Sequence, residues 1–372
     1  MRVIIAAAGT GGHINPGIAI ANTIKQREPS SEIMFIGTKR GLENDLVPRA
    51  NYKLEKIEAY GFNGKVSFNN GKKIFKTMLS TLKAKKIIKK FKPDIVIGTG
   101  GYICIPTILA ASSLKIPTVL HESNAFPGSA VKMMAKRTSK ILVGFEDAKE
   151  RIKNAKKVVV TGTPTKVKDL NLTTEEKDKI KQDLGFNKEL PLVLVFGGSQ
   201  GAKSINDAFL GIFENNLNKN YQIMYATGPE QYNVLKEYLA SKNLDIEKIN
   251  NAKIVPYIYN MEEVLNACNL VICRSGALTI TEVSIVGKPA IFVPLGSVVA
   301  NRQIDNAKVL EKIGAAKIIL DKDLNTDILS NSINDLISNT NNLRSMGEKA
   351  KTIGIKNTEE IIYKEINNLV KK

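Results

Sequence analysis

The 372-residue sequence has no tryptophan, two histidines and three cysteines, and its aromatic content is only 6%. Each scarcity excludes something. With so few aromatics there is little material for the stacking platforms on which single-stranded nucleic acid is held. Cys104, Cys268 and Cys273 are odd in number and fall in no zinc spacing, which argues against a disulfide framework or a cysteine-rich metal site and for a reducing compartment. Acidic residues are also in deficit, 36 against 54 Lys and Arg, leaving a formal net charge of +18. That surplus suits a polyanionic partner, whether nucleic acid, an anionic membrane surface or a phosphorylated substrate.

Long uninterrupted apolar runs are missing too. Residues 3–24 carry no charged side chain and follow Met1-Arg2, as in an export signal, but Gly9, Gly11, Gly12, His13, Asn15 and Pro16 break the centre of the run. Residues 95–114 are likewise uncharged and are broken by "GTGG" and Pro106. Both stretches parse better as strand, glycine turn and helix, so the expectation is a cytoplasmic protein with no spanning segment.

What is present is a repeated alternation. Short β-branched runs such as "RVIIAAA", "EIMFIG", "DIVIG", "PTVLHE", "KILVGF" and "KVVVTG" are separated by amphipathic stretches. The pattern restarts with "LPLVLVFGG", "YQIMYATG", "AKIVPY", "NLVICRSG", "PAIFVPLG" and "AKIILD". Continuous apolar strands spaced by helices mean a parallel sheet covered on both faces, so two doubly wound α/β halves are predicted. The polar segment 161–185, stiffened by Pro164, is the natural hinge. The expected domains are residues 1–162, 163–345 and a helical tail, 346–372, packing back on the first half.

Each half has two glycine turns directly after strands: "GTGG" at 9–12 and 98–101, then "GGSQG" at 197–201 and "RSG" at 274–276. Such turns lie at the carboxyl ends of parallel strands, where they offer backbone N–H groups and a helix N-terminus to a phosphate. The dinucleotide fingerprint fails, because Ile14 stands at the third glycine position and no acid follows the second strand. A P-loop fails as well, since no Gly-Lys pair is followed by Ser or Thr. Four turns in two halves suit a diphosphate held in a cleft between domains.

In "CRSGALTITE" the amides of Ala277, Leu278 and Thr279 open a helix, and Glu282 stands where a carboxylate can accept both hydroxyls of a ribose; its bland reading is a favourable acid near a helix dipole. His13 and His121 both sit at strand ends beside turns, as structural hydrogen bonders or as bases. No metal site stands out. Asp321 and Asp323 read as an ordinary polar turn.

These residues resemble the MurG family, bacterial cell-wall transferases that move N-acetylglucosamine from UDP-GlcNAc onto undecaprenyl-diphosphate-MurNAc-pentapeptide (lipid I) to give lipid II. The matching segments are "GTGGHINPG", "GTGGYICIP", "IPTVLHESNAFPG", "VVVTGTP", "VFGGSQGAKSIN", "CRSGALTITE", "VGKPAIFVPL" and "RQIDNA", in the family's order across about residues 3–307. The resemblance implies the GT-B fold, inversion at the anomeric carbon, peptidoglycan synthesis as the setting, and no cofactor or obligatory metal. It implies UDP-GlcNAc contacts from Thr10, Gly11, Gly12, Asn124, Lys166, Ser199, Ile258, Ala277, Leu278, Thr279, Glu282 and Gln303. The acceptor diphosphate is expected at Gly11, Gly12, Gly100, Gly101 and Tyr102, with His13 as catalytic base and Glu122 second. The sequence departs from the family's pattern at Ile105, Ser123, Thr163 and Lys166, where Gly, Gln, Asn and Arg are usual. Lys166 keeps the charge and loses the bidentate fork.

A lipid-linked acceptor calls for a docking surface. Residues 59–93 contain no Asp or Glu and ten lysines. At about 100° per residue, Ile74, Phe75, Met78, Leu79 and Leu82 form one stripe, and Ser80, Ala84, Ile87, Ile88 and Phe91 form a nearly opposite one. The expectation is that the second stripe packs on the sheet while the first dips into anionic lipid between flanking lysines; alternatively both stripes are core. The expected location is the cytoplasmic face of the cell membrane, peripherally bound, with other cell-wall synthesis and division proteins as partners and no nucleic acid. Rival readings are a UDP-GlcNAc epimerase on the same two domains, which has no use for the apolar-basic stripe, and a non-catalytic nucleotide sensor, which leaves the histidines without a purpose.

Overall fold

The computed structural model describes residues 1–60, 68–198, 201–295 and 300–371, with backbone alone over 68–75 and 300–301. The chain forms two compact units, Met1–Thr165 with Ile355–Lys372, and Lys166–Gly354. In the first, strands β1 (Arg2–Ala7), β2 (Glu32–Gly37), β3 (Lys53–Lys56), β4 (Ile95–Gly100), β5 (Thr118–Glu122), β6 (Lys140–Val143) and β7 (Val158–Val160) pair in the order β3-β2-β1-β4-β5-β6-β7. In the second, β8 (Leu192–Phe196), β9 (Gln222–Ala226), β10 (Ala252–Val255), β11 (Leu270–Cys273), β12 (Ala290–Phe292) and β13 (Ala316–Ile318) pair as β10-β9-β8-β11-β12-β13. All pairs are parallel. These are the two doubly wound α/β sheets expected from the alternation of runs.

Strand order reverses between β1 and β4 in one unit and between β8 and β11 in the other. Ligands of open parallel sheets bind outside the carboxyl ends of the strands at such switch points. All four glycine turns follow these four strands.

Successive residues of β1 serve opposite faces. Ile4 and Ala6 join one core with Val96, Leu120 and Ile141, whereas Val3 and Ile5 join the other with Ile97, Val119 and Leu142. Both faces are apolar because helices cover both, which is why the strands read as unbroken runs. Helix Gly11–Arg27 lies close to the sheet at Gly17, where a Cβ would lie 2.9 Å from Thr99 Oγ1 and 3.2 Å from Ile5 Cγ2. Gly17 thus performs the close helix-to-strand packing of a third fingerprint glycine, three positions beyond Ile14.

The chain changes unit at residues 165/166 and 354/355, not at the expected 162/163 and 345/346. Packing explains both offsets. Gly162, at φ +80°, leaves no room for a side chain beside Thr358 and Ile355, so the end of the 161–165 segment stays with the first unit. Helix Thr340–Ile353 stays with the second, its Gly347 lying against the Gly287 carbonyl. Helix Thr358–Val370 then packs Ile362 and Ile366 on the first unit's core, held by Lys140–Glu365 (2.5 Å), Arg27–Glu360 (2.8 Å) and a Tyr363 hydroxyl donated to Glu28 (2.7 Å). No helix among the described residues is long and apolar enough to cross a membrane.

Candidate active site

In the first unit the turn after β1 runs Ala8-Gly9-Thr10 into helix Gly11–Arg27, with Gly9 at φ +96°. The helix starts tightly: the N–H groups of His13 and Ile14 both reach the Thr10 carbonyl, at 3.0 and 3.2 Å. The amides of Gly11 and Gly12 therefore precede the first turn's bonds and are the ones a ligand oxygen can use.

His13 is half-buried, and its Nδ1 lies 3.1 Å from the Ala8 carbonyl oxygen. A carbonyl only accepts, so Nδ1 carries the hydrogen and Nε2 is the basic nitrogen of the neutral ring. The ring rests on the second glycine turn: a Cβ on Gly100 would meet His13 Cδ2 at 2.2 Å, and Gly100 and Gly101 have φ +136° and +80°. Any side chain at Gly100 would evict the imidazole. A register shift after Ala6 lets Thr99 donate its hydroxyl to the His13 carbonyl at 2.7 Å. Tyr102, which follows the turn, is partly exposed.

The other histidine is differently placed. His121 is fully buried, with Nε2 3.0 Å from the Gly162 carbonyl and Nδ1 3.4 Å from the Ser123 hydroxyl. Burial holds its pKa below the ordinary histidine value. This is a structural imidazole joining the ends of β5 and β7. Next to it, Glu122 accepts the Asn124 amide (2.9 Å) and side-chain Nδ2 (2.8 Å) on Oε1 and the Gly128 amide (2.6 Å) on Oε2. Both oxygens of the second candidate base are thus engaged in shaping the loop that presents Asn124.

In the second unit the turn after β8 admits no side chains at its ends. A Cβ on Gly197 would meet the Ala202 nitrogen at 2.2 Å, and one on Gly201 the Thr227 carbonyl oxygen at 2.0 Å. Ser199, expected at a donor phosphate, lies outside the described residues. After β11, helix Ala277–Val286 makes its first bond from Ile280 N–H to Gly276 O, 3.0 Å, so the amides of Ala277, Leu278 and Thr279 precede the intrahelical ladder, and Gly276 caps without a side chain. Glu282 is half-buried one turn further on. Gln303 is tied to the same turn: its main-chain oxygen accepts the buried Ser275 hydroxyl at 2.9 Å, and its Oε1 accepts Leu295 N–H at 3.0 Å. Ile258 is buried between Tyr257 and Tyr259, an edge-on pair with centroids 5.0 Å apart. Lys166 is exposed.

Three groups were not singled out by sequence reasoning. Arg274, 11% exposed, donates to Asp321 Oδ1 (2.5 Å), to the Val293 carbonyl (3.0 Å) and to the Ser204 hydroxyl (2.9 Å), so it locks the "RSG" turn to β12, to the residues after β13 and to helix Lys203–Glu214. Asp321 is therefore more than a polar turn. Tyr259 is 90% exposed in the segment between β10 and helix Met261–Ala267. Glu43, with no exposed surface, accepts the Gly9 amide at 2.9 Å. The Arg274–Asp321 and Glu43–Gly9 contacts span 47 and 34 residues, and contacts at that separation leave no local pattern.

The basic helix, Phe68–Phe91, shows the two expected stripes in its described part. Ala84 and Ile88 are fully buried and Ser80 nearly so, while Met78, Leu79 and Leu82 are 62%, 46% and 63% exposed. The buried stripe packs on helix Cys104–Ser113 and shares one apolar core with Ile4, Ala6, Met34, Ile36 and Val96 of the sheet, and the Phe91 ring carries the Arg2 guanidinium of β1. The side chains of Ile74 and Phe75 lie outside the described residues.

Residues 3–143 match the glycosyltransferase family 28 N-terminal domain and residues 192–362 the family's C-terminal domain. A UDP-N-acetylglucosamine–N-acetylmuramyl-(pentapeptide) pyrophosphoryl-undecaprenol N-acetylglucosamine transferase of Acetivibrio thermocellus is 42% identical over 372 residues, spanning 100% of this chain and 99% of that protein. The enzyme of the same name from Bacillus cytotoxicus is 39% identical over the full length of both chains. Among solved structures, Acinetobacter baumannii MurG superposes with a TM-score of 0.80 at 28% identity over 99% of each chain. A Neisseria meningitidis UDP-GlcNAc 2-epimerase shares the fold, with a TM-score of 0.64 at 16% identity over 99% of this chain and 100% of that one. With both domain models matched in order and full-length relatives at about 40% identity, the chain belongs to glycosyltransferase family 28 and has its two-sheet GT-B architecture.

Proposed function

We propose that the chain transfers N-acetylglucosamine from UDP-GlcNAc to the C4 hydroxyl of the muramoyl sugar of lipid I, with inversion, to form lipid II for peptidoglycan. The observation that carries this reading is the full-length similarity to transferases of that name, with the family's glycine segments standing at all four switch-point strand ends.

The chemistry follows from the two turns. His13 Nε2 takes the proton of the acceptor hydroxyl as its oxygen attacks the anomeric carbon. The new C–O bond forms while the bond to the diphosphate breaks, its electrons leave with UDP, and the proton passes from the imidazolium to solvent. A single displacement inverts the anomeric centre. Charge developing on the leaving diphosphate is met by the amides of Ala277, Leu278 and Thr279 and by the helix dipole behind them, so no obligatory metal is expected. Glu282 is assigned to the ribose, Ile258 to the uracil edge, Gln303 to the sugar, Ser199 and Lys166 to the phosphates, and Thr10, Gly11, Gly12 and Asn124 to completing the donor site. The acceptor diphosphate is assigned to Gly11, Gly12, Gly100, Gly101 and Tyr102.

Peripheral binding to the cytoplasmic membrane surface is assigned to the exposed stripe of helix Phe68–Phe91. Three exposed apolar side chains flanked by lysines favour a surface that is both apolar and anionic, each lysine adding about 1 kcal/mol near such a surface.

Incubation with labelled UDP-GlcNAc and a short-chain lipid I analogue tests the assignment: labelled disaccharide lipid is expected. Epimerised donor with no transfer would overturn it. Sedimentation with phosphatidylglycerol vesicles tests the surface, with Leu79→Ser/Leu82→Ser expected to remain in the supernatant and undiminished binding overturning the idea.

A further inference from the structure

The turn that carries His13 has little of its own to hold its shape. Gly9 sits at φ +96° with nothing within 4 Å of where its side chain would be, and Thr10 caps the helix without a side-chain hydrogen bond. The restraint comes from a residue 34 positions away. Glu43, the first residue of helix Glu43–Arg49, points a fully buried carboxylate at the turn. Its Oε2 accepts Gly9 N–H at 2.9 Å, and its Oε1 accepts both the Thr38 N–H, at 2.9 Å, and the Thr38 hydroxyl. No Lys, Arg or His forms an ion pair with it among the described residues.

Two glycines make room for this carboxylate. A Cβ on Gly37 would lie 2.8 Å from Glu43 Cγ, and one on Gly41, at φ +114°, would lie 2.5 Å from Oε2. A buried carboxylate without a cation is expensive to keep, and amide donors are what make it tolerable.

The N–H that Glu43 accepts and the C=O that His13 bonds belong to one peptide group, the Ala8–Gly9 amide. In a trans peptide these two groups point to opposite sides. The carboxylate therefore pulls on one end of the amide while the imidazole bonds the other, giving an unbroken chain from carboxylate through N–H and C=O to Nδ1–H. Accepting a charge-assisted bond at N–H polarises the amide and makes its carbonyl oxygen a stronger acceptor. A stronger acceptor at Nδ1 fixes the ring's orientation and the tautomer in which Nε2 is the base, the service a carboxylate gives directly to a triad histidine.

We propose that Glu43 is a positioning residue for the transfer reaction, acting on His13 through the Ala8–Gly9 peptide. The proposal rests on the reading of His13 as the base. Glu43→Gln keeps the size of the side chain but offers one neutral oxygen and one NH2 where two carboxylate oxygens meet the Gly9 N–H, the Thr38 N–H and the Thr38 hydroxyl, so the charge-assisted chain to His13 is weakened without opening a cavity. Gly41→Ala displaces the carboxylate while leaving its chemistry intact.

The experiment measures steady-state kinetics and the 15N resonances of the His13 ring in wild type, Glu43→Gln, Gly41→Ala, His13→Ala and the double variant His13→Ala/Glu43→Gln, each confirmed folded by its melting curve. Expected are a kcat lowered about 10- to 100-fold in Glu43→Gln, a KM for UDP-GlcNAc within about twofold of wild type, the same direction in Gly41→Ala, and a His13 ring that shifts from the Nδ1–H form toward a mixture. The double variant should be no slower than His13→Ala alone. Losses that multiply in the double variant, or an unchanged tautomer in Glu43→Gln, would overturn the proposal. Full activity of His13→Ala would instead remove the base reading, and the ring resonances would then decide alone whether the peptide relay exists.

Discussion

Both units place a glycine turn at a switch point, yet they stabilise it with charges of opposite sign. In the first, the buried Glu43 carboxylate takes the Gly9 N–H, and the helix that follows leaves the two amides of Gly11 and Gly12 ahead of its first bonds. In the second, the Arg274 guanidinium donates to the Val293 carbonyl and to Asp321, and the amides of Ala277, Leu278 and Thr279 all remain ahead of the ladder. A turn locked by a cation through carbonyls keeps its full set of N–H donors for an anion. One locked by a carboxylate through an N–H gives up a donor and gains a rigid carbonyl, here the anchor of an imidazole. The difference fits the roles proposed above, the donor diphosphate at the second unit's turn and the base at the first unit's.

The sharpest break in this comparison is His13→Ala. Loss of a general base should lower kcat by about 10²- to 10⁴-fold while the KM for UDP-GlcNAc, a property assigned mostly to the second unit, stays within about twofold. Steady-state assays with each substrate varied in turn check this, and an unchanged kcat would remove the role. On the other side, Arg274→Ala removes the cation beside Asp321 and leaves the Val293 and Pro294 carbonyls without this donor. The pair is partly buried, so urea unfolding should show a loss below the about 3–5 kcal/mol of a fully buried pair, and the KM for UDP-GlcNAc should rise more than kcat falls. A variant as stable as wild type, with normal kinetics, would mean that the lock is not needed.

Two glycines give a finer contrast. Gly9→Ala meets open space and bears only the strain of a positive φ, about 1–2 kcal/mol, whereas Gly201→Ala also collides with the Thr227 carbonyl 2.0 Å away. Melting curves should rank Gly201→Ala well below Gly9→Ala; the reverse order would show that the turn after β8 can open. A smaller, pH-dependent effect should come from His121. Its buried ring titrates below the ordinary histidine value, so under mild acid the unfolded chain binds a proton that the folded one does not. Its contribution to stability is therefore complete above about pH 6.5 and falls as pH drops below that, by at most about 1.4 kcal/mol per unit. His121→Gln should flatten this slope in chemical denaturation between pH 6.5 and 5. Last, the exposed Arg27–Glu360 pair, 2.8 Å apart, should be worth no more than about 1 kcal/mol in a double-mutant cycle.

Twelve of the thirteen strands were legible from the sequence because both faces of each sheet are covered, so burial writes a continuous apolar run; β3, an edge strand of sequence Lys-Leu-Glu-Lys, is not buried and carries no such run. The glycine turns were legible because positive φ and close approach exclude side chains locally. Gly17 was not, since its role depends on the distance from Thr99 and Ile5, and spacing alone pointed to Ile14. The unit boundaries were misjudged by three and nine residues for a similar reason: Gly162 and Gly347 are fixed by what they touch, Thr358 and the Gly287 carbonyl. The same holds for the charged residues. Glu43, Arg274 and Asp321 look like surface composition until the fold brings their partners to them.

By itself the sequence determined two parallel α/β sheets, four glycine turns, a histidine beside the end of each of two strands and an amphipathic basic helix, since each of these is a local or periodic consequence of side-chain type; the structure sets His13 in the first turn of the helix after β1. Only the tertiary structure separated His13 from His121, one ring half-buried on a glycine turn with Nδ1 on a carbonyl, the other sealed among Ser123 and Gly162. It also set Glu122 to shaping a loop and brought Glu43 to the far end of the peptide that holds His13. Which titratable group is available for chemistry depends on burial and on hydrogen bonds between distant segments, and no window of sequence contains those.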